Sequence, residues 1–206
     1  MSDVPISIDT RHAKVAKEAI LAGADIVNDV SGGTFDPEML PTVAALKVPI
    51  ILMHMRGTPE TMQSMTNYDD VVMDVSSSLL ERSNAAKAAG IARWLQVLDP
   101  GIGFAKDLEG NLSIMKHMKK IRETVNYVPI LLGPSRKGFI GKITGELNPE
   151  ERDFGTVAAC VTALAKEIND DDIRKGLHGR YSIVRVHNVK GVKQAMMIME
   201  SILDSK

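Results

Sequence analysis

Seven polar or charged residues stand where short apolar runs of the sequence end, and their types suit the binding of a charged, planar molecule. They are Asp9, Asn28, Asp29, His54, Asp99, Arg185 and His187. Apolar runs of this length are typical of buried strands, and the carboxyl ends of parallel strands gather at one end of a sheet. We therefore expect carboxylate, amide and basic groups to meet at a shared site.

Arg185 and His187 alternate with valines in the segment IVRVHNVK. Side chains two residues apart on a strand point to the same side, so this pair would face one ligand together. A guanidinium pairs well with phosphate oxygens, which favours an anion site. The alternative is a structural ion pair with a neighbouring carboxylate, and the spacing by itself leaves both open.

Asp99 lies in the segment QVLDPGIGFAK, directly before a proline and two glycines. A carboxylate at a strand end accepts two hydrogen bonds in one plane, which suits the N–C–N edge of a guanine or pterin ring. The alternative is that Asp99 caps the following loop through backbone N–H groups. The residues alone leave both interpretations open.

The segment GPSRKGFIGK (133–142) follows another strand candidate, and Ser135 could begin a helix there. Free N–H groups at a helix start favour a carboxylate or a phosphate, and Lys137 adds a mobile cation. A plain surface loop is the alternative. The segment lacks the Walker pattern, and Gly101-x-Gly103 lacks the third glycine of a dinucleotide fingerprint. No cluster has structural-zinc spacing, and no serine–histidine arrangement indicates a hydrolase.

Strand candidates alternate with helix candidates along the chain, which predicts an α/β protein with a parallel sheet. The strands are predicted at 6–9, 25–30, 49–54, 94–99, 129–132 and 182–187. The helices are predicted at 13–22, 36–46 with Asp36 as N-cap, 68–89, 108–124, 137–143, 149–168 and 189–203. Because polar residues end nearly every strand, a (β/α)8 TIM-type barrel is favoured over an open doubly wound sheet. About six of the eight βα units are present, so the barrel is expected to be incomplete.

Composition excludes several classes of protein. The chain has 206 residues and a net charge of −1, which predicts one domain (1–206) and gives no electrostatic case for nucleic acid or an anionic membrane. No apolar run approaches the roughly 20 residues of a membrane helix, and no signal pattern opens the chain. The single cysteine, Cys160, excludes a disulfide framework and is expected in the core. The polar stretch at 169–181 is expected to be a surface loop.

Taken together, the motifs resemble the dihydropteroate synthase family. PISIDT, GADIVNDVSGG, ILMHMRGTPETMQ, LDPGIGFAK, LLGPSRKGFIGK and IVRVHNVK occur in that family's order with about its spacing. The resemblance implies a pterin-binding (β/α)8 barrel and a transferase of folate biosynthesis. Such an enzyme joins 6-hydroxymethyl-7,8-dihydropterin diphosphate to 4-aminobenzoate and releases pyrophosphate.

The resemblance also implies a pterin pocket. Asp99 would bind the 2-amino and N3–H edge of the pterin, with Asn28 and Asp9 completing the polar ring. Lys137 would donate to the carbonyl and N5 side, and it counts among the catalytic residues. The rest of the pocket would be formed by Met53, Phe104 and Gly133, the glycine allowing close approach.

The other substrate groups are assigned in the same way. Arg185 and His187 would bind the diphosphate and act in catalysis, while Ser135 and Arg136 would meet the aminobenzoate. Together with Mg²⁺, the two basic residues would stabilise the leaving pyrophosphate, so that the neutral aromatic amine attacks an early-formed cation. In the family the usual protein ligand of Mg²⁺ lies before the PISIDT-like motif, so no metal ligand is assigned in this chain.

Only MSDVP precedes that motif here, so the first two strands of the family barrel and their two loops are expected to be missing. Three interpretations are open: a shortened synthase, a catalytically silent pterin-binding or assembly partner, and a relative of the methyltetrahydrofolate–corrinoid methyltransferases. The family implies a homodimer through the later helices, or a part of a multifunctional folate-pathway chain. The expected location is the cytoplasm, or the mitochondrion if a transit peptide was lost with the N-terminus.

Overall fold

The computed structural model describes residues 4–58, 60–165 and 182–205. Its centre is one parallel sheet in which the strands follow each other in chain order. The strands are β1 (Ser7–Asp9), β2 (Ile26–Asp29), β3 (Ile50–Met53), β4 (Gln96–Asp99), β5 (Ile130–Leu132) and β6 (Ser182–Val184). The order arises because each strand is followed by a helical segment that returns the chain to the same end of the sheet.

The helices of the described residues pack against the outer face of this sheet. They are α1 (Ala13–Leu21), α2 (Met39–Leu46), α3 (Val71–Ala88), α4 (Leu108–Lys116), α5 (Met118–Thr124), α6 (Gly138–Thr144), α7 (Asp153–Ala165) and α8 (Val189–Leu203). Short 3-10 turns lie at Met62–Ser64, Arg93–Leu95 and Pro149–Arg152. In this part of the chain, no helix has the length and apolar character that crossing a membrane would need.

The main core fills the space between the sheet and the helices. Strand residues in alternate positions are buried there: Val27, Ile50, Leu52, Leu98, Ile130 and Leu132. Their neighbours Ile51, Met53 and Leu131 point to the other face and are also buried. Burial of both faces explains the near-continuous apolar runs of the central strands. Cys160 on α7 is buried as well, as the sequence predicted.

Strand register places the polar strand ends on the inner, concave face. Asp9 pairs with Asn28, and Met53 pairs with Asp99. Asn28 pairs with Ile51, which lies two residues before Met53 and so shares its side. At the last strand the backbone N–H of Arg185 donates to the carbonyl of Leu132 over 3.0 Å, which continues the β5–β6 ladder.

The sheet is strongly curled, as in a (β/α)8 barrel. Asp9 ends β1 and Arg185 follows β6, yet a carboxylate oxygen of the first lies 2.8 Å from a guanidinium nitrogen of the second. The two edge strands thus approach each other at their carboxyl ends. The predicted α/β class and barrel type are therefore confirmed, with six strands in the described residues.

All six predicted strands are present, although several bounds differ. The sixth ends at Val184 rather than at residue 187, and residues 93–95 form a 3-10 turn ahead of β4. The polar stretch at 169–181 lies outside the described residues, as does the end of the predicted helix at 149–168. That helix begins as the 3-10 turn Pro149–Arg152 and continues as α7.

Three helix predictions were wrong in detail. Asp36 does not cap α2, because its carboxylate accepts the N–H groups of Ala13 and Glu38, and the helix begins only at Met39. The predicted helix at 108–124 is divided at His117, which leaves helical geometry with φ −113° and ψ 28°. Ser135 does not begin a helix either, since α6 starts at Gly138.

Candidate active site

Asp99 is buried at the end of β4, with 8% of its surface exposed. Its Oδ1 accepts the backbone N–H of Gly101 over 2.7 Å, so the predicted loop cap is present. Within the described residues, its Oδ2 accepts no hydrogen bond from the protein. Burial raises the pKa of this carboxyl, against the Gly101 N–H and the nearby charges of Lys137, Lys106 and Arg185. The cap and a ligand-binding role are therefore compatible, because each uses a different oxygen.

Lys137 extends toward Asp99 from the residue before α6. Its Nζ donates to the carbonyl of Ile102 and lies 4.7 Å from the ring centroid of Phe104. Burial lowers its pKa to about 8, although the Asp99 charge acts in the opposite direction. A side chain at Gly103 would lie 3.0 Å from Lys137 Cδ, so the glycine keeps space for this lysine. The predicted residues Asp99, Phe104 and Lys137 are thus neighbours.

Asn28 and Asp9 form the opposite side of the mouth. The Asn28 side-chain amide donates to Asp9 Oδ1, and Asp9 Oδ2 accepts from Arg185 over 2.8 Å. Asn28 Oδ1 is buried and has no hydrogen-bond partner among the residues that the structure describes. A buried acceptor without a partner is costly unless a ligand or water satisfies it. The ion pair that the sequence left open for Arg185 is therefore present, and it lies beside a free acceptor.

A cavity of about 260 Å³ lies next to Arg185. It is lined by Gly133, Ser135, Lys137, Arg185, Val186 and His187. Ser135 Oγ accepts the backbone N–H of His187 over 3.2 Å and lies 2.8 Å from its ring Nδ1. With Oγ already accepting, its proton is available to Nδ1, which leaves Nε2–H as a donor for an anion. A Cβ at Gly133 would come no closer than 3.9 Å to the protein and would occupy this cavity.

Two residues predicted to bind substrate, Arg136 and Met53, do not line this cavity. The Arg136 guanidinium donates from Nε and Nη2 to the Asp153 carboxylate over 2.8 and 3.0 Å, and it does not line the cavity. Met53 is 3% exposed and packs beside Gly101 on the inner face. The structure therefore brings Ser135 to the cavity but holds Arg136 in a bidentate ion pair.

Sequence reasoning assigned no role to Lys106 and none beyond a strand end to His54. Lys106 is 4% exposed, and its Nζ lies 3.1 Å from His54 Nδ1. Mainly because both side chains are buried, the pKa of Lys106 is lowered to about 7 and that of His54 to about 2. The sequence did contain a hint of this contact. His54 comes directly after β3, Asp99 ends the neighbouring β4, and Lys106 is the last residue of the motif LDPGIGFAK that contains Asp99.

Magnesium was expected from the resemblance alone. In residues 4–58, 60–165 and 182–205, no three His, Cys, Asp or Glu side chains form a group that could hold a metal ion. The carboxylate of Asp9, beside the cavity-lining Arg185, already accepts hydrogen bonds from Asn28 and Arg185. The described residues therefore do not form a protein site for magnesium.

The chain is similar to proteins of known name along its whole length. The model of the family described as pterin binding enzyme matches residues 1–169. A dihydropteroate synthase of Synechocystis is 42% identical over 200 residues, covering 97% of this chain and 64% of that protein. A mitochondrial folate synthesis bifunctional protein of Arabidopsis thaliana is 45% identical, covering 98% of this chain and 36% of its own length.

A solved structure has the same fold. The dihydropteroate synthase of Xanthomonas albilineans in complex with 7,8-dihydropteroate gives a TM-score of 0.83 at 35% identity, covering 100% of this chain and 69% of that one. The chain spans just under two thirds of the length of the Synechocystis protein and just over a third of the length of the Arabidopsis protein. The matched family model, the barrel fold and the high identity lead to one conclusion. The chain belongs to the family of pterin binding enzymes.

Proposed function

We propose that the chain carries the substrate site of a dihydropteroate synthase. The reaction joins 6-hydroxymethyl-7,8-dihydropterin diphosphate to 4-aminobenzoate and releases pyrophosphate. The observation that supports this most is that Lys137 and Arg185 line one cavity, and that the charges of both oppose the rise in pKa of the buried Asp99 carboxyl. The similarity to the dihydropteroate synthase of Synechocystis, and the 7,8-dihydropteroate bound to the Xanthomonas albilineans enzyme, support the same proposal.

Two free acceptors suit the donor edge of a pterin. Asp99 Oδ2 would accept from the 2-amino group and N3–H, and Asn28 Oδ1 would accept a further ring N–H. Asp9 would orient the Asn28 amide through the hydrogen bond between them. Lys137 would donate to the pterin carbonyl and N5 side, above the face of Phe104. Met53 would line the ring, and Gly133 would leave room for it.

The basic side of the mouth would bind the diphosphate. Arg185 and His187 would stabilise the negative charge that develops as the bond between the exocyclic carbon and the phosphate oxygen breaks. The bonding electrons leave with the oxygen, and the resulting cation is conjugated with the pterin ring. The lone pair of the aromatic amine then forms the carbon–nitrogen bond, and the amine gives its proton to water. No strong general base is required, because an aniline is uncharged at neutral pH.

The aminobenzoate would lie near Ser135 and Arg136. Ser135 lines the cavity, whereas Arg136 would have to exchange its Asp153 partner for the substrate carboxylate. The exchange would replace one bidentate carboxylate partner of the guanidinium by another. Of these two residues, Ser135 already lines the cavity, whereas Arg136 would have to rearrange.

The test is pterin binding together with turnover. The variant Asp99→Asn replaces an acceptor by an amide that also presents donors to the ligand, so calorimetry should show pterin affinity reduced about tenfold or more. Asp69→Asn, at an exposed carboxylate, is the matched control and should bind normally. Release of pyrophosphate with both substrates should occur in the original chain and fall in the Asp99 variant.

Each outcome separates the interpretations. Pterin binding without pyrophosphate release would favour the catalytically silent pterin-binding alternative. A chain that binds no pterin, or an Asp99 variant with unchanged affinity, would contradict the proposed site.

We further propose that residues 1–206 form one domain that associates as a homodimer through its later helices. An apolar cavity of about 350 Å³ lies between α4, α6 and α7, and Ile143 and Phe154 beside it are 57% and 90% exposed. A second copy would cover this surface. Within a multifunctional chain the same domain would sit beside other folate-pathway activities, in the cytoplasm or, as the name of the Arabidopsis relative suggests, in the mitochondrion.

A further inference from the structure

Lys106 is a buried cation directly behind the loop that follows Asp99. Its Nζ lies 3.0 Å from the carbonyl of Gly101, 2.9 Å from the carbonyl of Phe104 and 3.1 Å from His54 Nδ1. A lysine ammonium has three protons, and each of them finds one of these acceptors. Because both carbonyls belong to the loop 100–106, a single side chain fixes the loop that contains Phe104.

His54 provides the third acceptor from the neighbouring strand. It is 2% exposed, and burial together with the charges of Lys106, Arg82 and Arg56 lowers its pKa to about 2. The ring is therefore uncharged, and Nδ1 accepts from Lys106 while Nε2 holds the ring proton. The backbone N–H of His54 donates to the carbonyl of Asp99 over 2.8 Å. The ends of β3 and β4 are thus joined by both backbone and side chain.

The charge of Lys106 also acts on Asp99. Burial favours the protonated carboxyl, and Lys106 is among the nearby cations that oppose this effect. Asp99 can accept two N–H groups of a pterin only when it is ionised. The lysine therefore has two separable effects, one on loop geometry and one on the charge of Asp99.

We propose that Lys106, oriented by His54, is a positioning residue that holds the Asp99–Phe104 loop and keeps the Asp99 carboxylate ionised for pterin. This inference rests on the proposed function, since pterin is the ligand that the positioning serves. The groups that face Lys106 or Asp99 from the surrounding elements are His54, Arg56, Arg82, Lys137 and Arg185. All except His54 are cations, and none of them bonds to the two loop carbonyls in place of Lys106.

The first experiment needs no ligand. Lys106→Met keeps the length of the side chain and removes its charge, and the Asp99 carboxyl is followed by carbon-13 NMR from pH 3 to 9. The resonance is assigned by its loss in Asp99→Asn. Removal of a cation near a buried carboxyl should raise the titration midpoint of Asp99 by about one pH unit or more. A midpoint equal to that of the original chain would overturn the inference.

The second experiment measures the affinity for 6-hydroxymethyl-7,8-dihydropterin, which lacks the diphosphate and so isolates the pterin pocket. With a raised midpoint, Asp99 is protonated over a wider acidic range, so the Lys106→Met chain should lose more affinity at pH 6 than at pH 8, by up to about tenfold for a shift of one pH unit. An equal loss at every pH would indicate a purely structural lysine and would contradict the role in ionisation.

If Lys106→Met does not fold, two variants of His54 test the same proposal. Asn places an oxygen near the position of Nδ1, whereas Leu removes the acceptor. His54→Asn should keep both the Asp99 midpoint and the pterin affinity, and His54→Leu should shift both in the direction of Lys106→Met. Identical results for the two His54 variants would count against the orienting role. If the midpoints shift as expected but the original chain binds no pterin, the proposed function fails, and with it the ligand assigned to this positioning.

Discussion

Gly101 shows how closely two strands approach behind the candidate site. Its φ is +67°, and a Cβ at this position would lie 2.1 Å from the carbonyl oxygen of His54. Only glycine meets both conditions without a shift of the backbone. The same residue donates its N–H to Asp99, so the glycine determines where that carboxylate points.

Gly101→Ala should therefore lower the free energy of unfolding by about 2 kcal/mol or more, from the left-handed backbone and the contact with His54 together. Urea denaturation followed by circular dichroism gives this value. Gly138→Ala is the matched control, since an added methyl there meets nothing within 4 Å, and it should change stability little. Similar stability of the two variants would contradict the close approach.

His54 should make the fold sensitive to acid. Its pKa is about 2 in the folded chain and near 6.5 in the unfolded one, so between these values the unfolded state binds a proton that the folded state does not. Stability contributed in this way is present above pH 6.5 and is lost as the pH falls, by at most about 1.4 kcal/mol per pH unit. In His54→Asn the decline in unfolding free energy between pH 6.5 and 4 should be shallower. Equal slopes would rule out the buried neutral imidazole.

At the scale of elements, α3 begins with a cap that the sequence allows but did not single out. The Asp70 carboxylate accepts the N–H groups of Val72 and Met73, each over 3.0 Å. Asp70→Ala should lower the unfolding free energy by about 1 kcal/mol. Asp69→Ala, at the preceding exposed carboxylate, is the control and should have little effect, which thermal denaturation of both variants would check. A loss shared by both would point to net charge rather than to the cap.

The strands could be predicted because each is a local apolar run, and all except β5 end at or directly before a polar residue. Helix boundaries were less predictable where a capping side chain is used elsewhere. Asp36 has the residue type of an N-cap, but its carboxylate also binds the start of α1, and this contact spans 23 residues. The break at His117 lies within a continuous helical pattern, so no turn residue marked it.

At the scale of the whole molecule, strand ends predicted that Asp99 and Arg185 share a site, and the family resemblance added Lys137, whereas neither predicted the Lys106–His54 pair. Their contact joins residues 52 positions apart across a loop. The position of His54 after β3 hinted that the two residues could be near each other, but the contact itself depends on the path of the loop after β4, which local patterns do not encode. The ion pair between Arg136 and Asp153 was missed because it too joins residues that are far apart in the sequence, 17 positions in this case.

The proposed dimer can be tested with a single charge. Phe154→Lys places an ammonium on a residue that is 90% exposed, so the monomer fold should be unaffected while an apolar interface loses contact. Light scattering should show that the mass of the assembly falls by about half. Trp94→Lys, at a residue 84% exposed ahead of β4, is the control and should leave the assembly intact. A monomeric original chain would exclude this interface.

The ion pair between Asp9 and Arg185 means that the residue proposed to bind the diphosphate already has an internal counter-ion. If an anion displaced Asp9, its affinity would reflect the difference between two attractions rather than the full strength of one. Both side chains are more than half exposed, so dissolved salt would weaken both the Asp9–Arg185 attraction and the attraction of Arg185 for an anion. Because this ion pair also connects the first strand of the curled sheet to the segment after the last, an anion that displaced Asp9 would remove a contact between the two edges of the sheet.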